Sequence, residues 1–498
     1  MTARPKSENK RLPQRMTTPS CLLLTGVFLA TALQPNLASA RAGKWVFDPS
    51  SPVTASLDYV DRTDDDGYNG QVLRVAPTFR LSREGGRAVA NINYNPTVAI
   101  GTGDTNPKFL THGLFANGRL EAVENRFFIG ADARAGLNGA NSSAETVDAI
   151  NFNSADGQQS YSFGITPEYR QPLNRYATFV SNNRFDWVTY SGNDDGDGSN
   201  GSRGQTLNAS ILSGRHFSAF NWSLNATQRK TFYNSDEEDD TRTNYSADTG
   251  YRFGPRWAVN GSVGYEDNDI TTDRDDTSGM TWDVGARWTP NPRTSVNASY
   301  GDRYFGPRYS GGISHRSKRT RLSADFSRDV TNRRQQQLVD SFFFLADSNG
   351  DPILDPDGNP IIANVPNLED TDEDFINTRL RGIMTITGRR TSVTITGDIA
   401  NRDYEVSPRD EDSYGLTVSA RRDLGSSINA TLTGRTTHVD GADDGDSDEY
   451  AVRFSLSKNL SSRTSTALNM EYRDYNADGS GESYTEKRIG ISLTTQLF

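Results

Sequence analysis

The sequence predicts an all-β chain: a transmembrane antiparallel up-and-down β-barrel of about 22 strands, with short periplasmic turns and long extracellular loops. Three observations predict it. Apolar and polar residues alternate with period two from Val53 onward. Short turns alternate with long acidic connections. The composition is polar, glycine-rich and aromatic-rich together. The 498 residues include Gly 44, Tyr 20, Phe 23 and Trp 6, yet only 34% are hydrophobic and the formal net charge is −11. An ordinary globular chain carries about 45–50% apolar residues counted with Gly, and a disordered chain carries few aromatics. Strands with one wet and one apolar face meet both constraints. A soluble sandwich would hide one apolar face of each sheet and need more bulky aliphatics than these strands hold.

The first forty residues read as an address. Arg4, Lys6, Lys10, Arg11 and Arg15 precede the apolar stretch Cys21–Leu33, which ends in Ala38-Ser39-Ala40, a small-x-small cleavage pattern. The run is shorter than the 18 or so apolar residues of a spanning helix. Residues 1–40 are thus expected to be a signal peptide, and 41–52 a short periplasmic segment. The barrel is expected over 53–498. Losing five basic residues and one acidic, Glu8, brings the remaining 458 residues near −15. Cys21, the lone cysteine, falls in the removed segment, which excludes disulfides and Cys-based metal sites.

Along the barrel the alternation is explicit. Tyr414, Leu416, Val418 and Ala420 oppose Gly415, Thr417, Ser419 and Arg421. Trp257, Val259, Gly261, Val263 and Tyr265 oppose Ala258, Asn260 and Ser262. Trp257 with Tyr265, and Trp282 with Trp288, stand near strand ends, where a membrane barrel sets its aromatic girdles. Short turns are expected at Glu84–Gly86, Pro172–Asn174, Gly254-Pro255, Asn291-Pro292, Ser317-Lys318, Gly425-Ser426 and Ser461-Ser462. Acidic loops are expected at Asp61–Gly67, Asn193–Asn200, Asp236–Asp240, Asp269–Gly279 and Gly441–Asp448. The strand near Tyr309–Arg316 has the faintest pattern; losing its hairpin would give 20 strands. Phe498 ends the chain as the terminal aromatic that barrel-assembly machinery reads, although it is out of register with Ile489, Ile491 and Leu493.

The stretch Trp288–Asp329 resembles the signature region of the PEP-CTERM system-associated outer-membrane β-barrel family. The matching elements are Ser299-Tyr300-Gly301-x-Arg303-Tyr304-Phe305-Gly306, then Ser314-His315-Arg316-Ser317-x-Arg319-Thr320, then Asp329-x-Thr331 and Gln335–Gln337. More loosely, the chain resembles β-barrel porins. The family resemblance implies the outer membrane of a Gram-negative bacterium and a setting of exopolysaccharide production. It implies no biochemical activity.

Chemistry-bearing patterns are sparse. His112, His216, His315 and His438 are dispersed, without metal-ligand spacing. Ser314 and His315 are adjacent on a strand and point to opposite faces, so they cannot act as nucleophile and base. Asp347–Gly358 opens like a calcium loop but lacks its turn Gly and closing Glu. No catalysis, cofactor or metal is therefore expected. Ionised groups on the polar faces must line the lumen, because Arg or Lys facing lipid costs about 2–4 kcal/mol at mid-bilayer. They are Asp283, Arg287, Arg321, Asp325, Arg379, Arg381, Asp398, Arg453, Glu471 and Arg473.

A barrel of this strand number is too wide for side chains to close. Nutrient receptors of that size fill it with a folded domain of roughly a hundred residues before the first strand. Here strands begin about a dozen residues after Ala40, so no such plug is expected. The insertion at 332–374 is the internal candidate for a constriction, through Phe342, Phe343, Phe344, Leu345, Ile361 and Ile362. The expected function is a porin-like channel or structural barrel linked to exopolysaccharide production or export. The alternatives are a surface barrel binding polysaccharide or matrix and, behind it, an outer-membrane lipid-modifying enzyme. The expected partners are outer-membrane lipid and lipopolysaccharide, the assembly machinery and polysaccharide, but no nucleic acid.

Overall fold

The computed structural model describes residues 43–63, 69–102, 108–139, 157–192, 201–234, 239–332, 334–335, 373–407, 410–441, 445–478 and 483–496. The expected signal peptide, Phe498, the calcium-like loop and the six constriction residues lie outside them.

The first strands are β1 (Lys44–Phe47), β2 (Pro52–Thr63), β3 (Asn69–Pro77), β4 (Phe79–Glu84), β5 (Ala88–Gly101), β6 (Lys108–Val123), β7 (Phe127–Gly139) and β8 (Gly157–Pro172). Then come β9 (Ala177–Gly192), β10 (Gly201–Ser213), β11 (Phe220–Tyr233), β12 (Asp240–Arg252), β13 (Trp257–Asp269), β14 (Gly279–Asn291), β15 (Thr294–Arg303) and β16 (Gly306–Arg316). The last are β17 (Thr320–Asn332), β18 (Asp374–Thr387), β19 (Thr391–Tyr404), β20 (Asp410–Asp423), β21 (Ile428–Asp440), β22 (Ser447–Asn459), β23 (Thr464–Ala477) and β24 (Tyr484–Gln496).

β2 pairs antiparallel with β3, β3 and β4 both pair with β5, each strand from β5 on pairs antiparallel with the next, and β2 pairs with β24 from Pro52↔Gln496 to Thr63↔Thr485, which closes the ring. β3 and β4 are one strand interrupted at Thr78, next to Pro77, which has no N–H for the ladder. With β1 outside the ring, 22 strands form the barrel. The segment expected to be a plain N-terminal stretch contributes β1, which lies against β4 from Lys44↔Glu84 to Phe47↔Leu81.

All seven expected short turns fall at one end of the barrel, together with Pro52 and Gln496. Local chemistry closes them. The Ser317 hydroxyl accepts the N–H groups of Arg319 and Thr320 at 3.4 and 3.0 Å, and Ser461 does the same for Arg463 and Thr464. The strand ends that flank the acidic connections lie at the other end. One connection there departs from the expected long loop: β15 and β16 join through Tyr304 and Phe305 alone, with Arg303 paired to Gly306. Gly306 has φ +96°, a conformation glycine adopts without steric cost. The strand with the faintest sequence pattern, β16, is laddered to β15 from Gly306 to His315 and to β17 from Tyr309 to Arg316.

The outer face is apolar. Leu57, Val284, Leu416 and Ile491 all stand exposed on it. Aromatics ring both ends: Trp257 stacks on Trp288 near the turn end, with ring centroids 5.6 Å apart. Toward the loop end Trp282, Tyr300, Tyr309 and Phe326 form a chain at 5.7, 6.2 and 5.9 Å. An apolar band of this extent is untenable in water and matches a bilayer. The inner face is polar, and its buried groups are mainly threonines, serines, arginines and carboxylates.

Candidate functional site: the lumen and its mouth

Two sectors of the inner wall contrast. From β18 round through β24 to β3 it is a ladder of ion pairs. Arg379 and Arg381 each reach Asp398 at 2.9 Å. Arg453 and Arg473 share Glu471 at 2.7 and 3.2 Å, and Arg473 and Arg435 approach Glu449 at 3.5 and 3.8 Å. Arg402 pairs with Glu411, Arg488 with Glu486, and Arg74 with Asp58 at 2.9 Å. Replacing such pairs by apolar residues is often neutral, but removing one partner of a buried pair costs about 3–5 kcal/mol. The ladder therefore fixes side chains flat against the wall.

From β13 to β17 the wall is low and wet. Its inward positions include Asn260, Asn297, Ser299 and Ser310, which border a recess of about 360 Å3 with Asp283 and Arg287. Arg287, Arg321 and Asp325 point inward yet are exposed, so lumen water reaches them. The ten sequence-derived lumen charges thus divide. Arg379, Arg381, Asp398, Arg453, Glu471 and Arg473 form the packed ladder, and Asp283, Arg287, Arg321 and Asp325 border open space.

The loop end is crossed by contacts between distant strands. Arg334, two residues past β17, ion-pairs with Asp186 of β9 and donates to the Ser202 hydroxyl of β10 at 2.7 Å. Asp374, at the start of β18, pairs with Arg242 of β12 and accepts from Asn332 at 3.1 Å. The root of the insertion therefore lies across the mouth. Its return leg is pinned through Glu373, whose carboxylate accepts the N–H groups of Val406 and Ser407 and the Ser407 hydroxyl. The β13–β14 loop also reaches over: Thr272 and Arg274 donate to Glu405 at 3.0 and 2.5 Å. That bond to the carboxylate, opposed by desolvation, raises the Arg274 pKa.

The tight β15–β16 turn completes this end. Arg303 grips Glu266 and Asp329 at 2.6 and 2.7 Å, and Arg308 takes the other Asp329 oxygen at 2.8 Å. Phe305 packs on Val330 and Ile376, with Tyr304 beside them. Ile376 shares its strand face with the exposed Leu380, yet it is 2% exposed because this turn covers it. Burial raises the Tyr304 hydroxyl pKa well above the usual tyrosine value. The residues Ser299–Gly306 that carry the family resemblance thus build this turn, and Ser314–Thr320 build the following one.

The histidines stand away from the lumen. His112 meets the Tyr94 hydroxyl at 2.9 Å on the outer face, and His315 meets Thr294 there at 2.9 Å. His438 lies 2.9 Å from Asp448, stacked on Tyr414. His216 sits in the β10–β11 turn against Tyr176 and Phe217. Sequence reasoning did not single out Arg242, Asp186, Asp374 or Arg334 as members of one cluster. Each looks like an ordinary strand or loop charge, and only ring closure brings them together.

No family model and no curated protein matches the chain. Among solved structures it is similar to the siderophore receptor PirA from Pseudomonas aeruginosa, at 12% identity and TM-score 0.45, over 90% of this chain and 80% of that one. It is also similar to the FrpB iron transporter from Neisseria meningitidis, at 10% identity and TM-score 0.47, over 89% and 82%.

Proposed function

We propose that the protein is an outer-membrane channel of a Gram-negative bacterium, narrowed at its loop-end mouth and serving exopolysaccharide production or export. The observation that carries the channel reading is the water-exposed inner wall of β13–β17. It stands in a ring of 22 strands, too wide for side chains to close. The root of the insertion, anchored through Arg334 and Asp374, supports a constriction at the mouth. The exopolysaccharide link rests on the residues of the family resemblance. Catalysis has no support from the histidines, which face outward or lie in a turn. Deleting the gene and measuring secreted polysaccharide tests the biological role. Reduced secretion with intact synthesis supports export, and unchanged secretion refutes it.

A further inference from the structure

We infer that the mouth holds an oxyanion-binding site centred on Arg229, suited to the carboxylate or phosphate of a charged sugar. The inference rests on the channel reading for its biological setting and on the following geometry for the site.

Arg229 lies on β11 with the same parity as the inward Thr227 and Thr231, opposite in parity to the exposed Leu224 and Phe232. Its cross-strand neighbours are Thr206 of β10 on one side and Arg242 of β12 on the other. Directly opposed side chains share a face, so like charges there repel one another. Arg242 has its compensation in Asp374, with Asp240 at 3.7 Å. Arg334, the other cation acting on Arg229, is paired with Asp186. Arg229 itself has no carboxylate within ion-pair distance among the described residues. The two acids acting on it, Asp186 and Asp374, are held by its neighbours.

A partly buried guanidinium is thus placed beside two others with no carboxylate of its own among the described residues. Its five N–H donors form a planar fork that fits a carboxylate or phosphate in bidentate fashion. The Thr206, Thr227 and Thr231 hydroxyls on the same face supply further donors. The acidic loops at this end of the barrel repel anions at a distance. A cationic site inside the mouth would recapture an anionic chain emerging from the lumen.

Isothermal titration of the purified full chain in detergent tests this, with hexagalacturonate, glucose 1-phosphate and neutral maltohexaose as probes. The wild type and Arg287→Gln, which removes an inner-wall charge elsewhere, should bind at least one anionic probe and ignore maltohexaose. Arg229→Gln should weaken that binding tenfold or more, and Arg229→Lys, which keeps the charge but loses the fork, by less. The anionic probe that binds identifies carboxylate or phosphate as the ligand chemistry. Equal affinity of wild type and Arg229→Gln, equal weakening by Arg287→Gln, or no anion binding at all would overturn the site. Should Arg229→Gln not fold, Arg229→Lys decides alone, and unchanged affinity then refutes the fork. Binding without conductance would refute the channel reading and leave the site standing.

Discussion

Leu416→Arg is the sharpest probe of which solvent bathes each face. Leu416 lies at the middle of β20 and is 45% exposed on the outer face, while its neighbour Thr417 is 7% exposed on the inner face. An arginine on the lipid face near the midplane costs about 2–4 kcal/mol, a factor of roughly 30 to 1,000 in the folding equilibrium. Thr417→Arg enters the polar inner wall instead. It is not free of cost, because Thr417 pairs directly with Arg435 of β21, and opposed like charges cost roughly 0.2–1 kcal/mol. Ser419→Arg avoids even that, since its cross-strand neighbours are Thr394 and Thr433. Urea unfolding of the three variants in lipid vesicles, followed by tryptophan fluorescence, should rank Leu416→Arg as least stable by more than about 1 kcal/mol. Equal losses at 416 and 417 would show that the two faces of β20 see the same solvent.

The other predictions concern the mouth and the orientation. Epitope tags in Asp236–Asp240 or Gly441–Asp448 should be accessible on intact cells, whereas a tag at Gly425-Ser426 should need permeabilised membranes; the reverse pattern inverts the barrel. Arg334→Ala leaves the buried Asp186 carboxylate with Arg184 at 3.5 Å as its ion-pair partner, so the local cost should fall below the roughly 3–5 kcal/mol of a fully orphaned buried charge. It should free the insertion root, seen as faster proteolysis near residue 335 and a larger single-channel current; unchanged proteolysis would mean the bond does not hold the segment. Deleting Ser341–Val365 should raise conductance and admit larger solutes. An unchanged current from an assembled barrel would remove the insertion as a constriction and favour an external binding loop.

The ring was legible because each strand repeats one rule. The pattern Tyr414, Leu416, Val418 against Thr417 and Ser419 states which side is wet, and the structure gives those residues opposite exposures. The Gly-Pro, Asn-Pro and Ser-rich turns were legible for the same local reason. Three features were not. β1 is four residues of KWVF with no turn signal to pair it with β4. The Tyr304-Phe305 turn breaks the expectation of long loops at its end, because Gly306 permits a two-residue reversal that composition does not announce. The mouth cluster joins Asp186, Arg242, Arg334 and Asp374, and Asp186 and Arg334 stand 148 residues apart in sequence. Periodicity carries no information on such contacts, since they depend on which strands the closed ring sets face to face.

Single-channel recording of the purified protein in planar bilayers tests the central claim most directly. A water-filled lumen predicts discrete, ohmic current steps from folded, heat-modifiable protein. Folded protein that inserts into the bilayer yet passes no ions, in the full-length form and after loss of Ser341–Val365 alike, would show that the lumen is closed.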